Sequence, residues 1–217
     1  MTINRRTFGQ LMAGVMAFVL VGAPLVARAA QAPDELIREV ATDVQNIVRQ
    51  DKAIQSGDMR KVLELIDAKV LPHFDFTRMT ALAVGREWRN ATPAQRSDLA
   101  AEFRTLLVRS YANAIVRFKD AQITVKPVKL KADDTEVIVR SDVKKPGAQP
   151  DSVDYTLYKK GEDWKVFDVA VAGVSLITNY RDSFGEEIKA NGIDGLVKSL
   201  RGKNAQNSST GETAAKK

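Results

Sequence analysis

The chain contains no cysteine and a single histidine, His73. Without thiols there is no disulfide framework, no cysteine nucleophile, no iron–sulfur ligation and no thiolate zinc site. With one imidazole, a histidine-rich metal centre or a Ser-His-Asp triad has no natural donor set. Aromatic residues make up only 6% of the chain. No stretch interleaves them with Arg and Lys as a single-strand nucleic-acid groove would. A Gly-rich phosphate loop, an HExxH helix and a paired-carboxylate constellation are all missing. What acid–base chemistry remains is thin. His73 stands between Pro72 and Phe74, while Tyr155 and Asp168 fall on strands with opposite facing.

An apolar run is present, and it sits at the N-terminus. Asn4-Arg5-Arg6 forms a basic n-region, Leu11 to Val26 is apolar apart from glycines and Pro24, and Ala27-Arg28-Ala29 is a small-x-small cleavage site. The stretch is shorter than the ~20 residues that span a bilayer, so residues 1–29 read as a cleavable export signal, with maturation near Ala30. Arg5-Arg6-Thr7-Phe8 has a twin-arginine flavour, although Gly9 and Gln10 depart from that consensus; the plainer reading of the same arginines is the charged n-region of a general secretory signal. Removal of this segment takes away three arginines and no acids, lowering the formal net charge from +6 to +3. That balance does not argue for nucleic acid. The mature chain is long enough for one domain with its own core, here residues 30–202. Residues 203–217, rich in Asn, Ser, Thr, Gly, Ala and Lys, read as a disordered tail.

Periodicity divides the domain in two. Leu36, Ile37, Val40, Val44, Ile47 and Val48 form one helical stripe, and Asp58 caps a second helix that ends before Pro72. A third helix runs from about Asp75 to Val84, with Gly85 as its C′ residue. Thr92-Pro93-Ala94-Gln95 is a capping box with Pro at the first helical position. It opens a long helix to about Phe118 with the stripe Leu99, Phe103, Leu106, Leu107, Tyr111 and Ile115. The period then changes to two. Strands are expected over 122–127, 135–143, 152–160 and 163–171, with a tight turn at Gly161. Ile123, Val125, Val137, Val139, Val153, Tyr155, Leu157, Phe167, Val169 and Val171 share one parity, and polar residues share the other. Ser175 caps a closing helix that Gly192 interrupts. The expectation is α+β, with N-terminal helices and a four-stranded antiparallel sheet covered by helices on one face. Pattern alone does not separate a packed core from a lined cavity, since both take the same residues.

Several segments in fixed order carry a family likeness. They are Val70-Leu71-Pro72-His73-Phe74-Asp75-Phe76-Thr77-Arg78-Met79, Gly85-Arg86-Glu87-Trp88-Arg89-Asn90-Ala91-Thr92-Pro93-Ala94-Gln95-Arg96, Asp163-Trp164-Lys165-Val166-Phe167-Asp168-Val169, Gly173-Val174-Ser175-Leu176-Ile177-Thr178-Asn179-Tyr180-Arg181 and Gly192-Ile193-Asp194-Gly195-Leu196. Together they resemble the MlaC, or toluene-tolerance, family of periplasmic phospholipid-binding proteins. The resemblance implies an NTF2-like cup enclosing an apolar pocket for acyl chains, with no cofactor and no enzymatic activity. It also implies shuttling of lipid between an outer-membrane complex of MlaA with a porin and an inner-membrane complex of MlaD with its ABC transporter, in maintenance of outer-membrane lipid asymmetry. Pocket positions expected on this basis are Met79, Leu82, Val84, Phe103, Leu107, Tyr111, Phe167, Val169, Val171, Val174, Leu176 and Tyr180. Arg86, Arg89 and Arg181 are the expected basic rim for the head group or for docking. An exported NTF2-like enzyme acting on a hydrophobic small molecule, and a cargo-free periplasmic adaptor, are the alternatives.

Overall fold

The computed structural model describes residues 31–214, with side chains to 207; the export signal expected over 1–29 lies outside them. Helix α1 (Pro33–Gln50) starts on a proline and carries Asp34 and Glu35 in its first turn, where acids meet the positive end of the helix dipole. The short α2 (Lys52–Gln55) is capped by Asp51 and α3 (Met59–Lys69) by Asp58. A 3-10 turn, Leu71–His73, leads to α4 (Phe76–Val84). The Asp75 carboxylate accepts from the Arg78 backbone N–H at 2.9 Å. Gly85 closes α4 at φ 70°, ψ −133°, a conformation that disfavours a Cβ. After a 3-10 turn at Gly85–Arg89, α5 (Pro93–Arg117) begins with both halves of the Thr92/Gln95 capping box formed.

Five strands follow, β1 (Gln122–Val125), β2 (Glu136–Lys144), β3 (Asp151–Lys160), β4 (Asp163–Val171) and β5 (Val174–Ser175). They form one antiparallel meander in the order β1-β2-β3-β4-β5. The fifth strand is the addition to the expected four. It is only two residues long, below what period-two alternation can reveal, and it pairs Ala170 with Ser175 and Val171 with Val174. Helix α6 (Leu176–Ala214) is two helices meeting at Gly192, whose φ of 70° and ψ of −177° are non-helical. The helix runs on to Ala214, past residue 203 where a disordered tail was expected to begin. Asn204 is buried, and its Nδ2 donates to the backbone oxygen and to Oε2 of Glu102 on α5. A polar composition hid this anchor.

One correction concerns the sheet's facing. In the β3–β4 ladder Thr156 pairs with Asp168, but Leu157 pairs with Val166, so Phe167 is the extra residue of a β-bulge. Parity along β4 reverses there. Val169 and Val166, on either side of it, pack with the inner-face cluster of Leu36, Ile37, Val139, Leu157 and Trp164. Phe167 instead meets Tyr158 edge-on at 5.8 Å, beneath the Arg78 guanidinium of α4, 3.9 Å from the ring. The outer face is wetted and carries the cross-strand ion pairs Lys126–Asp142 and Arg140–Asp154.

Two cores lie on the helical side. Phe103, Phe184, Met79, Leu99, Leu196 and Leu200 knit α4, α5 and α6 together. Val44, Val48, Ile54, Val62, Leu65, Ile66 and Ala112 join α1, α2, α3 and α5. Helix α5 thus packs its first half on α6 and its second half toward α1 and α3.

Candidate lipid-binding chamber

Between these cores and the sheet lies an apolar chamber. It holds about 360 Å³ that the centre of a water molecule can reach, within a void of about 1580 Å³ counted out through its mouth. Helix α1 supplies Ile37, Val40, Ala41 and Val44, and α3 with the following turn supplies Ile66, Val70 and Leu71. Phe74 precedes α4, which supplies Phe76 and Met79; the second half of α5 supplies Leu107, Val108, Tyr111, Ala112, Ala114 and Ile115, with Phe118 at its C-cap. The sheet contributes Ile123, Val143, Val153, Tyr155, Val166, Val169 and Val171, with Leu176 at the start of α6. Tyr111, Asp151 and Val171 are the exposed members of the lining, so the mouth opens between α5 and the sheet end where β2 finishes, β3 begins and β4 finishes.

Asp151 is exposed at the mouth; the polar groups deeper in the wall are few. Gln45 Nε2 donates to the carbonyls of Phe118 and Ala121 at 3.0 and 2.9 Å, closing the turn after α5. Burial pushes the Tyr155 phenol above its ordinary pKa, so it stays protonated at neutral pH. Burial, with Lys165 nearby, lowers the His73 pKa and favours the neutral imidazole. Asp168 is spent on local structure. Its Oδ2 accepts from Ser175 Oγ at 2.6 Å and its Oδ1 from the Ile177 backbone N–H at 3.3 Å, which fixes the entry into α6. Among the described residues no His, Cys, Asp or Glu grouping is suited to holding a metal ion.

Of the expected pocket residues, Met79, Leu107, Tyr111, Val169, Val171 and Leu176 line the chamber, and the other six do not. Phe103 and Tyr180 face each other edge-on at 5.0 Å inside the α4–α5–α6 core, where Val84 is buried and Leu82 packs alongside. Phe167 is displaced by the bulge, and Val174 is 60% exposed on the β4–β5 turn. The expected basic rim is elsewhere too. Arg86 and Arg89 are exposed on the 3-10 turn after α4, and Arg181 Nε donates to the Leu82 carbonyl at 3.1 Å. None of the three is in the chamber wall. Conversely, the α1 stripe was legible as a helix face, but nothing in it signalled that its partner is a void. Val166 carries the parity that Phe167 was expected to have.

Fold and chamber together define a class of α+β domain in which a meander sheet and a helical layer enclose an apolar cavity open at one end. Comparison with known proteins makes the assignment specific. The family profile described as MlaC protein matches residues 38–202, and the chain belongs to the MlaC family. It is 27% identical over 186 residues to the toluene tolerance protein ttg2D of Pseudomonas putida, covering 85% of each chain. It is 22% identical over 193 residues to the intermembrane phospholipid transport system binding protein MlaC of Haemophilus influenzae, covering 86% of this chain and 90% of that one. Its structure matches that of the phospholipid-binding protein from Ralstonia solanacearum, solved in complex with a phospholipid, with a TM-score of 0.76 and 35% identity, over 82% of this chain and 99% of that one. Among the described residues no helix is long and apolar enough to cross a membrane.

Proposed function

We propose that this chain is a periplasmic phospholipid carrier that takes acyl chains into the chamber and leaves the head group at the mouth. The observation that carries the reading is the chamber itself. Its wall is almost wholly apolar, Gln45 within it is tied to the carbonyls of Phe118 and Ala121, and its exposed members Tyr111, Val171 and Asp151 mark the mouth. The names of the relatives and the phospholipid in the Ralstonia protein support the same cargo.

The energetics suit a passive carrier. Exposing the acyl chains of one lipid to water costs about 0.8 kcal/mol per methylene, on the order of 20 kcal/mol in total, so an aqueous crossing requires a dry sleeve. Moving the same chains from a bilayer into an apolar chamber changes little, because both environments are hydrocarbon-like. Direction then has to come from the partners, which on this reading are an outer-membrane MlaA–porin complex and the inner-membrane MlaD with its ABC transporter. Export by the segment 1–29 places the carrier between them. Among the described residues no acid–base pair lines the chamber, and carriage rather than catalysis is the reading it favours.

The test is native mass spectrometry of the mature protein purified from cells, before and after organic extraction. A mass increment equal to phospholipid that disappears on extraction is the expected result. A clean apo mass together with no uptake from vesicles would overturn the carrier reading and favour the adaptor.

A further inference from the structure

The mouth of the chamber carries two charges of opposite sign on one β-hairpin. Lys145 follows β2, and its ammonium stands 4.6 Å from the centroid of Phe118, a chamber-wall ring at the end of α5. Its backbone is held firmly. Lys145-Pro146-Gly147-Ala148 has Pro and Gly at the two central positions, Gly147 has a φ of 74°, and the Ala148 N–H donates to the Lys145 carbonyl at 3.2 Å. These are the features of a type II turn. On the other arm Asp151, exposed and itself part of the wall, pairs directly with Val143, whose side chain is also in the wall. Lys145 lies two residues beyond Val143, just past the end of β2, and its contact with Phe118 sets it on the wall's side. It is one diagonal step from Asp151, roughly 7–8 Å for such neighbours. Among the described residues neither side chain has an ion-pair partner within 4.0 Å.

We infer that Lys145 and Asp151 form the head-group site for a zwitterionic phospholipid, Lys145 meeting the phosphate and Asp151 the head-group ammonium. This rests on the carrier reading above. It adds a selectivity that apolar chain packing cannot provide, since chains are alike across head-group classes. An anionic head group, such as phosphatidylglycerol, keeps the phosphate contact but brings no cation to Asp151. The free rim carboxylate then faces a net negative charge. Both groups are solvated and about one Debye length apart at physiological salt, so the preference is modest and fades as salt rises.

The experiment equilibrates the mature protein with vesicles containing equal amounts of phosphatidylethanolamine and phosphatidylglycerol with identical acyl chains. The re-isolated protein is then extracted, and the two lipids are quantified. Total lipid per protein reports the carrier reading, and the ratio of the two lipids reports this one. The wild type is expected to favour the ethanolamine lipid about two- to five-fold, the range that exposed ion pairs support. Asp151→Lys should take the ratio below one, because the new ammonium repels the ethanolamine head group and attracts the anionic one. Lys145→Gln should lower uptake of both lipids about two- to five-fold while leaving the ratio unchanged. Both sites are exposed, and thermal melting verifies that the variants are folded. Full lipid loading with a ratio of one in the wild type, or an unchanged ratio in folded Asp151→Lys, overturns the head-group site and leaves the carrier standing. A wild type that takes up neither lipid overturns both.

Discussion

Two valines three residues apart, Val171 and Val174, flank the same turn and should respond in opposite ways to a carboxylate. Val171 ends β4, lines the chamber and is 40% exposed at the mouth; Val174 begins β5, is 60% exposed and lies outside the wall. An aspartate at 171 can keep its water in the folded protein, so folding should change little. A lipid entering the chamber, however, must either strip that water or stop short of it. If roughly three to four methylenes lose their apolar wall, the loss is about 3 kcal/mol, or about 100-fold in lipid affinity. At 174 the same substitution adds a charge to an already wetted turn, and the effect should stay within about two-fold. The assay is uptake of a fluorescent-chain phospholipid from vesicles, with thermal melts confirming that both variants fold. Folded Val171→Asp that loads lipid normally would refute the placement of the mouth. Val174→Asp that fails as badly as Val171→Asp would refute the boundary drawn between wall and outer turn.

Further substitutions probe the other elements. Phe103→Ala, in the fully buried α4–α5–α6 core, should destabilise by about 3–5 kcal/mol in denaturant melts, yet leave lipid per folded protein unchanged because Phe103 is not in the chamber wall. Thr92→Ala removes the observed capping box and should cost about 1 kcal/mol in thermal or urea unfolding. Burial pushes the Asp75 carboxyl up, but hydrogen bonds from the Tyr158 hydroxyl, the Arg78 backbone N–H and Lys160 Nζ outweigh it and hold its pKa below the ordinary value. A depressed carboxyl stabilises the fold above its unfolded pKa of about 3.9, and the contribution is lost as pH falls through the lower folded value. Asp75→Asn should therefore cost roughly 2 kcal/mol near pH 7, and its gap to the wild type in urea melts should close at acid pH.

What was legible in the sequence followed from local chemistry. The Thr92/Gln95 box, the caps at Asp58 and Ser175, the positive-φ stop at Gly85 and the break at Gly192 each need only a few neighbouring residues, and each is formed. What was not legible depended on partners distant in the chain. Strict alternation put Phe167 with Val169 and Val171, but one extra residue in β4 reversed the facing, and a bulge of this kind leaves no mark in the hydropathy pattern. Phe103 and Leu107 sit one turn apart on one stripe of α5, yet the first is sealed against Tyr180 and Phe184 while the second reaches the chamber. Nothing along α5 records that its covering changes from α6 to open space. Lys145 and Asp151 passed unnoticed because each is an unremarkable charge until the hairpin register brings them to the same rim. The arginines expected at the rim lie in segments that match the family, which singled out their segment but not their facing.

The brevity of the outermost strands has a consequence for how this protein behaves in crowded solution. At one border of the sheet β5 offers two residues, and at the other β1 offers four, followed at once by Lys126 and by Pro127, which has no N–H to donate. Neither edge strand itself offers a second chain more than four residues to pair with. Edge-to-edge zippering, the ordinary route from a meander sheet to a fibril or precipitate, thereby starts from short contacts at both borders.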